Sequence, residues 1–187
     1  MTKELGIYMI VDEVQTGVGC TGKFWGHDHW NLESPPDFVT FAKKMLSCGF
    51  YHTDETRMAT PMRVHNTFFG DPVRALLTVA QNETILEDNL PAQAKRSGDY
   101  LYAEMQNLAT KHPDFIGSPR AIGTFQAFDV KDVPTRTAFL NKLKEHGVHA
   151  GPVGSASGVR LRPCLYFEEK HADLFVDRID KTCKDLS

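Results

Sequence analysis

Ile7-Tyr8-Met9-Ile10-Val11-Asp12-Glu13-Val14-Gln15-Thr16-Gly17 is the stretch that decides the fold. Its apolar half has no polar alternation, so it reads as a short strand covered on both faces, the habit of a parallel sheet in an α/β domain. An acid, Asp12, then stands at the strand's carboxyl end. A second run of the same texture, Phe38-Val39-Thr40-Phe41-Ala42, ends on Lys43. Open α/β sheets collect their chemistry at the carboxyl ends of strands, which makes Asp12 and Lys43 the first candidates for a site.

Around that pair the composition is ordinary. The chain's 187 residues suffice for one domain or two small ones with a real core. A net charge of -3 leaves no electrostatic footprint for nucleic acid. No apolar run is long enough to span a bilayer, so no membrane role is expected. Cys20, Cys48, Cys164 and Cys183 are scattered, a spacing that favours reduced intracellular thiols over a disulfide frame. The N-terminal residues resemble neither a signal nor a transit peptide, and they run abruptly into the first strand. The expectation is that something upstream has been lost.

The loop over residues 16–30 is Gly-rich and aromatic, and Ser34-Pro35-Pro36-Asp37 punctuates the chain before the second strand. Asp71-Pro72 predicts a helix start, with Val73, Leu76, Leu77 and Ala80 at helical spacing. Leu90-Pro91 interrupts or restarts that helix. Leu101, Met105 and Leu108 mark a second amphipathic stretch, stopped by His112-Pro113. Beyond Gly117 the pattern predicts a strand over 124–130, a helix over 136–145, a short strand over 159–162 and a terminal helix over 171–184. The fold class is therefore α/β followed by α+β, with residues 1–90 and 91–187 as the two domains.

Several motifs are refused. Gly17-Val18-Gly19-Cys20-Thr21-Gly22 matches G-x-G-x-x-G, but no helical pattern follows it and no acid stands near position 42. Read as a phosphate-binding loop, the same stretch places Phe24 where the magnesium hydroxyl belongs. His27-Asp28-His29 lacks further ligands for a metal and reads as loop surface, and His146 and His149 meet the same objection.

An acid and an amine at two strand ends suit a pyridoxal 5'-phosphate (PLP) enzyme, the lysine holding the cofactor as a Schiff base and the acid pairing with its pyridinium nitrogen. The neighbouring residues extend this. Val11-Asp12-Glu13-Val14-Gln15-Thr16-Gly17, Ala42-Lys43, Asn66-Thr67-Phe68-Phe69-Gly70-Asp71-Pro72 and Val159-Arg160-Leu161-Arg162-Pro163 resemble, in order and spacing, landmarks of the class III PLP-dependent aminotransferases. Within that family the nearest likeness is to the animal-type enzymes of 4-aminobutyrate (GABA), carried by residues 19–25, Lys43-Lys44-Met45 and Gly123-Thr124-Phe125. It covers nearly all of this chain but only the later part of the family's length.

The resemblance implies a partial fold-type-I large domain and a small C-terminal domain, with intact members as homodimers. It implies that Asp12 keeps the pyridine nitrogen protonated and that Gln15 lies near the phenolic oxygen. Lys43 binds the cofactor and carries the proton in transamination, its pKa expected to be lowered by burial and by the cofactor's own environment, with Lys44 a solvated neighbour. Thr67 donates to the cofactor phosphate across a dimer interface. Arg160 clamps the substrate carboxylate, with Arg162 as its rival. No metal is implied.

The implied reaction moves an amino group from GABA, or a related ω-amino acid, to 2-oxoglutarate. The animal-type likeness implies the mitochondrial matrix. His65 departs from the Phe that the animal GABA enzymes carry, which bears on GABA selectivity. The family's phosphate-cradling loop, its ring-stacking aromatic, a further substrate arginine and its iron–sulfur cysteines have no counterpart in this sequence. The alternative expectation is therefore a catalytically inactive truncated form, acting at most through subunit contacts, because an incomplete sheet exposes an apolar edge.

Overall fold

The computed structural model describes residues 2–154 and 156–187, in two compact units. One comprises the chain up to Gly19 together with Lys23–Asn89; the other comprises Cys20–Gly22 and Leu90–Ser187.

The first unit is built on a three-stranded sheet ordered β1-β2-β3, from Ile10–Asp12, Phe38–Phe41 and Gly49–His52. β1 and β2 are parallel, whereas β3 returns antiparallel on β2. Asp37 extends the parallel pairing, its Oδ2 accepting the Met9 amide at 2.7 Å. The helix α1, Pro72–Glu87, begins as expected, with Asp71 Oδ1 accepting the amides of Val73 and Arg74.

Two expectations fail in this unit. β1 is shorter than the apolar run, and it is not covered on both faces: Val11 is buried, but Ile10 is 68% exposed. The two residues point to opposite faces of the sheet, and only the face bearing Val11 and Val39 is covered. The apolar face of α1 is likewise open, with Val73, Leu76 and Leu77 exposed. β3 was not foreseen, since Gly49-Phe50-Tyr51-His52 lacks an alternating pattern and all its residues are exposed or nearly so.

In the second unit α2, Leu90–Lys111, restarts directly at Leu90-Pro91. Four strands follow, β4 (Gly117–Ile122), β5 (Phe125–Asp129), β6 (Gly151–Pro152) and β7 (Gly158–Leu161), with the helices α3 (Val133–Glu145) and α4 (Glu169–Leu186). The sheet order is β4-β5-β7-β6, antiparallel throughout. Leu101, Met105 and Leu108 of α2, Phe139 and Leu143 of α3, and Ile179 of α4 bury against Phe128, Val159 and Leu161 of the sheet. α3 begins three residues before the apolar period announces it, because Asp132 Oδ1 caps the Thr135 amide at 2.8 Å and Pro134 suits a first turn. β4 escapes the sequence pattern because Pro119 and a register shift between Gly117 and Arg120 break it, as edge strands permit.

Candidate active site

Parallel pairing sends the carboxyl ends of β1 and β2 the same way, with Asp12 opposite Thr40. Asp12 closes β1. Its Oδ1 accepts the Val14 amide at 2.9 Å and the Thr40 hydroxyl at 3.1 Å, which orients the carboxylate from its own strand and from the neighbour. Oδ2 has no partner among the described residues.

Lys43 opens a one-turn 3-10 helix, Lys43–Met45, immediately after β2. The turn is strained: Lys43 has φ 49° and Leu46 φ 58°, each a left-handed conformation costing a non-glycine residue about 1–2 kcal/mol. Side chains of α1 hold it. Thr78 Oγ1 donates to the Met45 carbonyl at 2.8 Å and Gln81 Nε2 to the Lys44 carbonyl at 3.1 Å, while Asn82 Nδ2 meets Met45 Sδ at 3.1 Å.

The two lysines differ from expectation. Lys43 is exposed rather than buried, because β1, β2 and the turn leave it on the surface of the unit. Its amine has no hydrogen-bond or ion-pair partner among the described residues. Lys44, expected to be solvated, is half-buried, and its Nζ donates to the Gln15 carbonyl at 2.8 Å.

Gln15 lies in the turn after β1, where the Gly17 amide donates to the Glu13 carbonyl at 3.0 Å. Thr67 is exposed in the loop before α1. Asn66 organises that loop as a turn, its Oδ1 accepting the Phe68 amide at 2.9 Å. The Thr67 hydroxyl has no partner among the described residues, and no hydrogen bond joins it to Asp12, Gln15 or Lys43.

Arg160 belongs to the second unit, on β7, opposite Ala127 and Gly151. The Arg160 side chain lies over Gly151, where a Cβ would come within 2.8 Å of its Nε. Arg160 is exposed and without a partner among the described residues. Arg162 is engaged instead. Its Nη1 donates at 2.6 Å to the Gln126 and Leu161 carbonyls, and its guanidinium lies 3.4 Å from the Phe125 ring centre. Burial, and then the like charge of Arg160, pull its pKa below the ordinary arginine value.

The sequence reading missed Glu13. Only 2% exposed, it accepts the Thr16 hydroxyl, the His27 amide at 2.7 Å and His27 Nδ1 at 2.8 Å. Burial alone would raise its pKa, but the hydrogen bonds from Thr16, His27 and Gly26 outweigh it and hold the carboxyl below the ordinary glutamate value. Glu13 thereby closes both ends of the loop following Asp12. His27, read as loop surface, is its anchor. One signal pointed here: consecutive residues on an extended segment face opposite ways, so with Asp12 outward Glu13 turns inward.

The family signature described as Aminotransferase class-III matches residues 1–183. The 4-aminobutyrate aminotransferase of Mycosarcoma maydis is 44% identical over 189 residues, covering 96% of this chain and 36% of that protein. The Homo sapiens protein named 4-aminobutyrate aminotransferase, mitochondrial, is 40% identical, covering 95% of this chain and 35% of its own length. A solved lysine aminotransferase from M. tuberculosis superposes with a TM-score of 0.92 at 28% identity, over 100% of this chain and 43% of that one. The chain thus spans a little over a third of the length of the curated relatives it matches.

Proposed function

This chain belongs to the aminotransferase class-III family, and on that premise we propose that it is the later part of a PLP-dependent transaminase moving the amino group of 4-aminobutyrate to 2-oxoglutarate, giving succinate semialdehyde and glutamate. The first unit is then the later part of the cofactor-binding large domain, and the second is the small domain.

The observation that carries this reading is a division of labour among like residues. Asp12 Oδ2, Lys43 Nζ, the Thr67 hydroxyl and the Arg160 guanidinium have no partner among the described residues. The rival Lys44 and Arg162 are spent on backbone carbonyls. An oriented carboxylate and an uncommitted amine at adjacent parallel strand ends fit the ring nitrogen and the aldehyde of PLP.

PLP, when bound, would supply an electron sink for the charge that develops at the donor's amino-bearing carbon. Asp12 would meet the ring nitrogen with its open oxygen, its aim fixed by Val14 and Thr40. Gln15 would lie beside the phenolic oxygen, and Thr67 would donate to the phosphate. Lys43 Nζ would hold the cofactor and, when released, take the proton from the amino-bearing carbon. Arg160 would clamp the donor's carboxylate through paired N–H donors.

GABA is the donor in the names of the curated relatives, which supports an ω-amino acid, a carboxylate carrying a distant amine, as the donor. The animal relatives named mitochondrial support a mitochondrial location. The intact protein would act as a homodimer, with Thr67 serving the partner's site.

The test is to incubate the purified chain with PLP, reduce with borohydride and map the modified lysine. An adduct at Lys43 that disappears in Lys43→Ala is expected; an adduct that persists in that variant would sink the assignment. A second reading, in which the chain acts only through subunit contacts, is favoured by the exposed Phe68, Phe69, Leu76 and Ile10. It predicts that the chain alone retains PLP weakly and turns over little GABA; robust turnover by the purified chain would exclude it.

A further inference from the structure

We propose that Lys44 is a positioning residue, which fastens the turn bearing Lys43 to the loop bearing Gln15; its importance for the cofactor rests on Lys43 being the amine that holds PLP. The turn needs outside support, since Lys43 and Leu46 both adopt positive φ within four residues. Its own backbone supplies little: Leu46 N donates to the Lys43 carbonyl at 2.8 Å and Met45 N to the Ala42 carbonyl at 3.2 Å. α1 braces it from one side through Thr78, Gln81 and Asn82.

Lys44 braces it toward β1, through the 2.8 Å bond to the Gln15 carbonyl. Two features give this bond weight. Lys44 is half-buried, and it has no carboxylate partner among the described residues, so its ammonium is committed to a peptide oxygen. The carbonyl it seizes belongs to a loop already closed on both sides by Glu13, through Thr16 and through His27. Lys44 therefore ties the strained turn, braced on its other side by α1, to a loop that is already closed. With its Nζ occupied and that of Lys43 open, it also decides which of two neighbouring amines meets an aldehyde.

The test compares the whole chain with Lys44→Met and Lys44→Arg by two measurements. The first is amide exchange without cofactor. Met45 and Leu46 should exchange about fivefold faster or more in Lys44→Met, as expected when one supporting hydrogen bond is lost. Lys44→Arg should restore slow exchange, and the α1 amides should be unchanged throughout. The second is the borohydride-trapped adduct, which should fall by a similar factor at Lys43 in Lys44→Met and recover in Lys44→Arg.

Unchanged exchange in Lys44→Met overturns the clamp whatever the adduct does. Faster exchange with an undiminished Lys43 adduct overturns the positioning role. An adduct on Lys44 in the unaltered chain also overturns it. Faster exchange with no adduct on any lysine sinks the cofactor reading and leaves the clamp standing. Should Lys44→Met fail to fold, Lys44→Gln, whose amide is too short for the same reach, takes its place under the same criteria.

Discussion

Asp12 and Thr40 face each other across the parallel ladder, and the Thr40 hydroxyl donates to Asp12 Oδ1 at 3.1 Å. The threonine of one strand thus aims the acid of the other. Thr40→Val removes that donor and leaves the Val14 amide at 2.9 Å. Because Asp12 is exposed, the stability cost should stay near or below ~0.5 kcal/mol. The loss should appear instead as weaker PLP retention, about three- to tenfold in apparent Kd by absorbance titration. A larger loss of stability than of retention would show that Thr40 serves only the sheet.

Glu13 should matter to folding more than its position beside Asp12 suggests. Glu13→Gln would set an amide NH2 among the donors of Thr16, Gly26 and His27, costing about 2–3 kcal/mol in urea unfolding at neutral pH. Its folded pKa lies below the ordinary 4.5. The stabilisation is therefore fully present above that value and is lost as pH falls through the lower folded value. In Glu13→Gln that part of the acid limb should vanish, and an unchanged limb would refute the assignment.

The arginines of β7 should separate cleanly. Arg162→Ala forfeits the carbonyl bonds to Gln126 and Leu161 and the stacking on Phe125, about 1–2 kcal/mol of unfolding free energy. Arg160→Ala should change stability by no more than ~0.5 kcal/mol, since its guanidinium has no hydrogen-bond or ion-pair partner among the described residues. Under the proposed function, Arg160→Ala in a full-length transaminase should also raise KM for the amino donor. Equal stability losses in the two variants would contradict this division.

Gly98 of α2 lies directly against the backbone of Gly123. A Cβ there would lie 2.2 Å from both the carbonyl carbon and the oxygen of Gly123, and backbone has no rotamer to yield. Gly98→Ala should therefore cost more than ~3 kcal/mol, despite alanine's better helix propensity. Ser97→Ala on the same helix, which loses only a bond to the Gln93 carbonyl at 2.9 Å, should cost about 1 kcal/mol or less. The midpoints of urea unfolding give both numbers.

Local signals were legible in the sequence because their physics is local. Asp71 caps α1 and Leu90-Pro91 starts α2, since capping and proline geometry depend on the next few residues alone. The periodic residues of α2 form part of the core for the same reason. β3 and β4 were not legible, being held by cross-strand partners rather than by their own pattern.

By itself the sequence determined the family and put an acid and an amine at the ends of two strands. Only the tertiary structure decided which member of each like pair is free. Asp12 faces out while Glu13 is buried, Lys43 is open while Lys44 is tied, and Arg160 is open while Arg162 is stacked. Neighbouring residues of one type carry the same local preferences. What separates them is contact with groups distant in sequence: His27 for Glu13, Gln15 for Lys44, and Phe125 with Gln126 for Arg162.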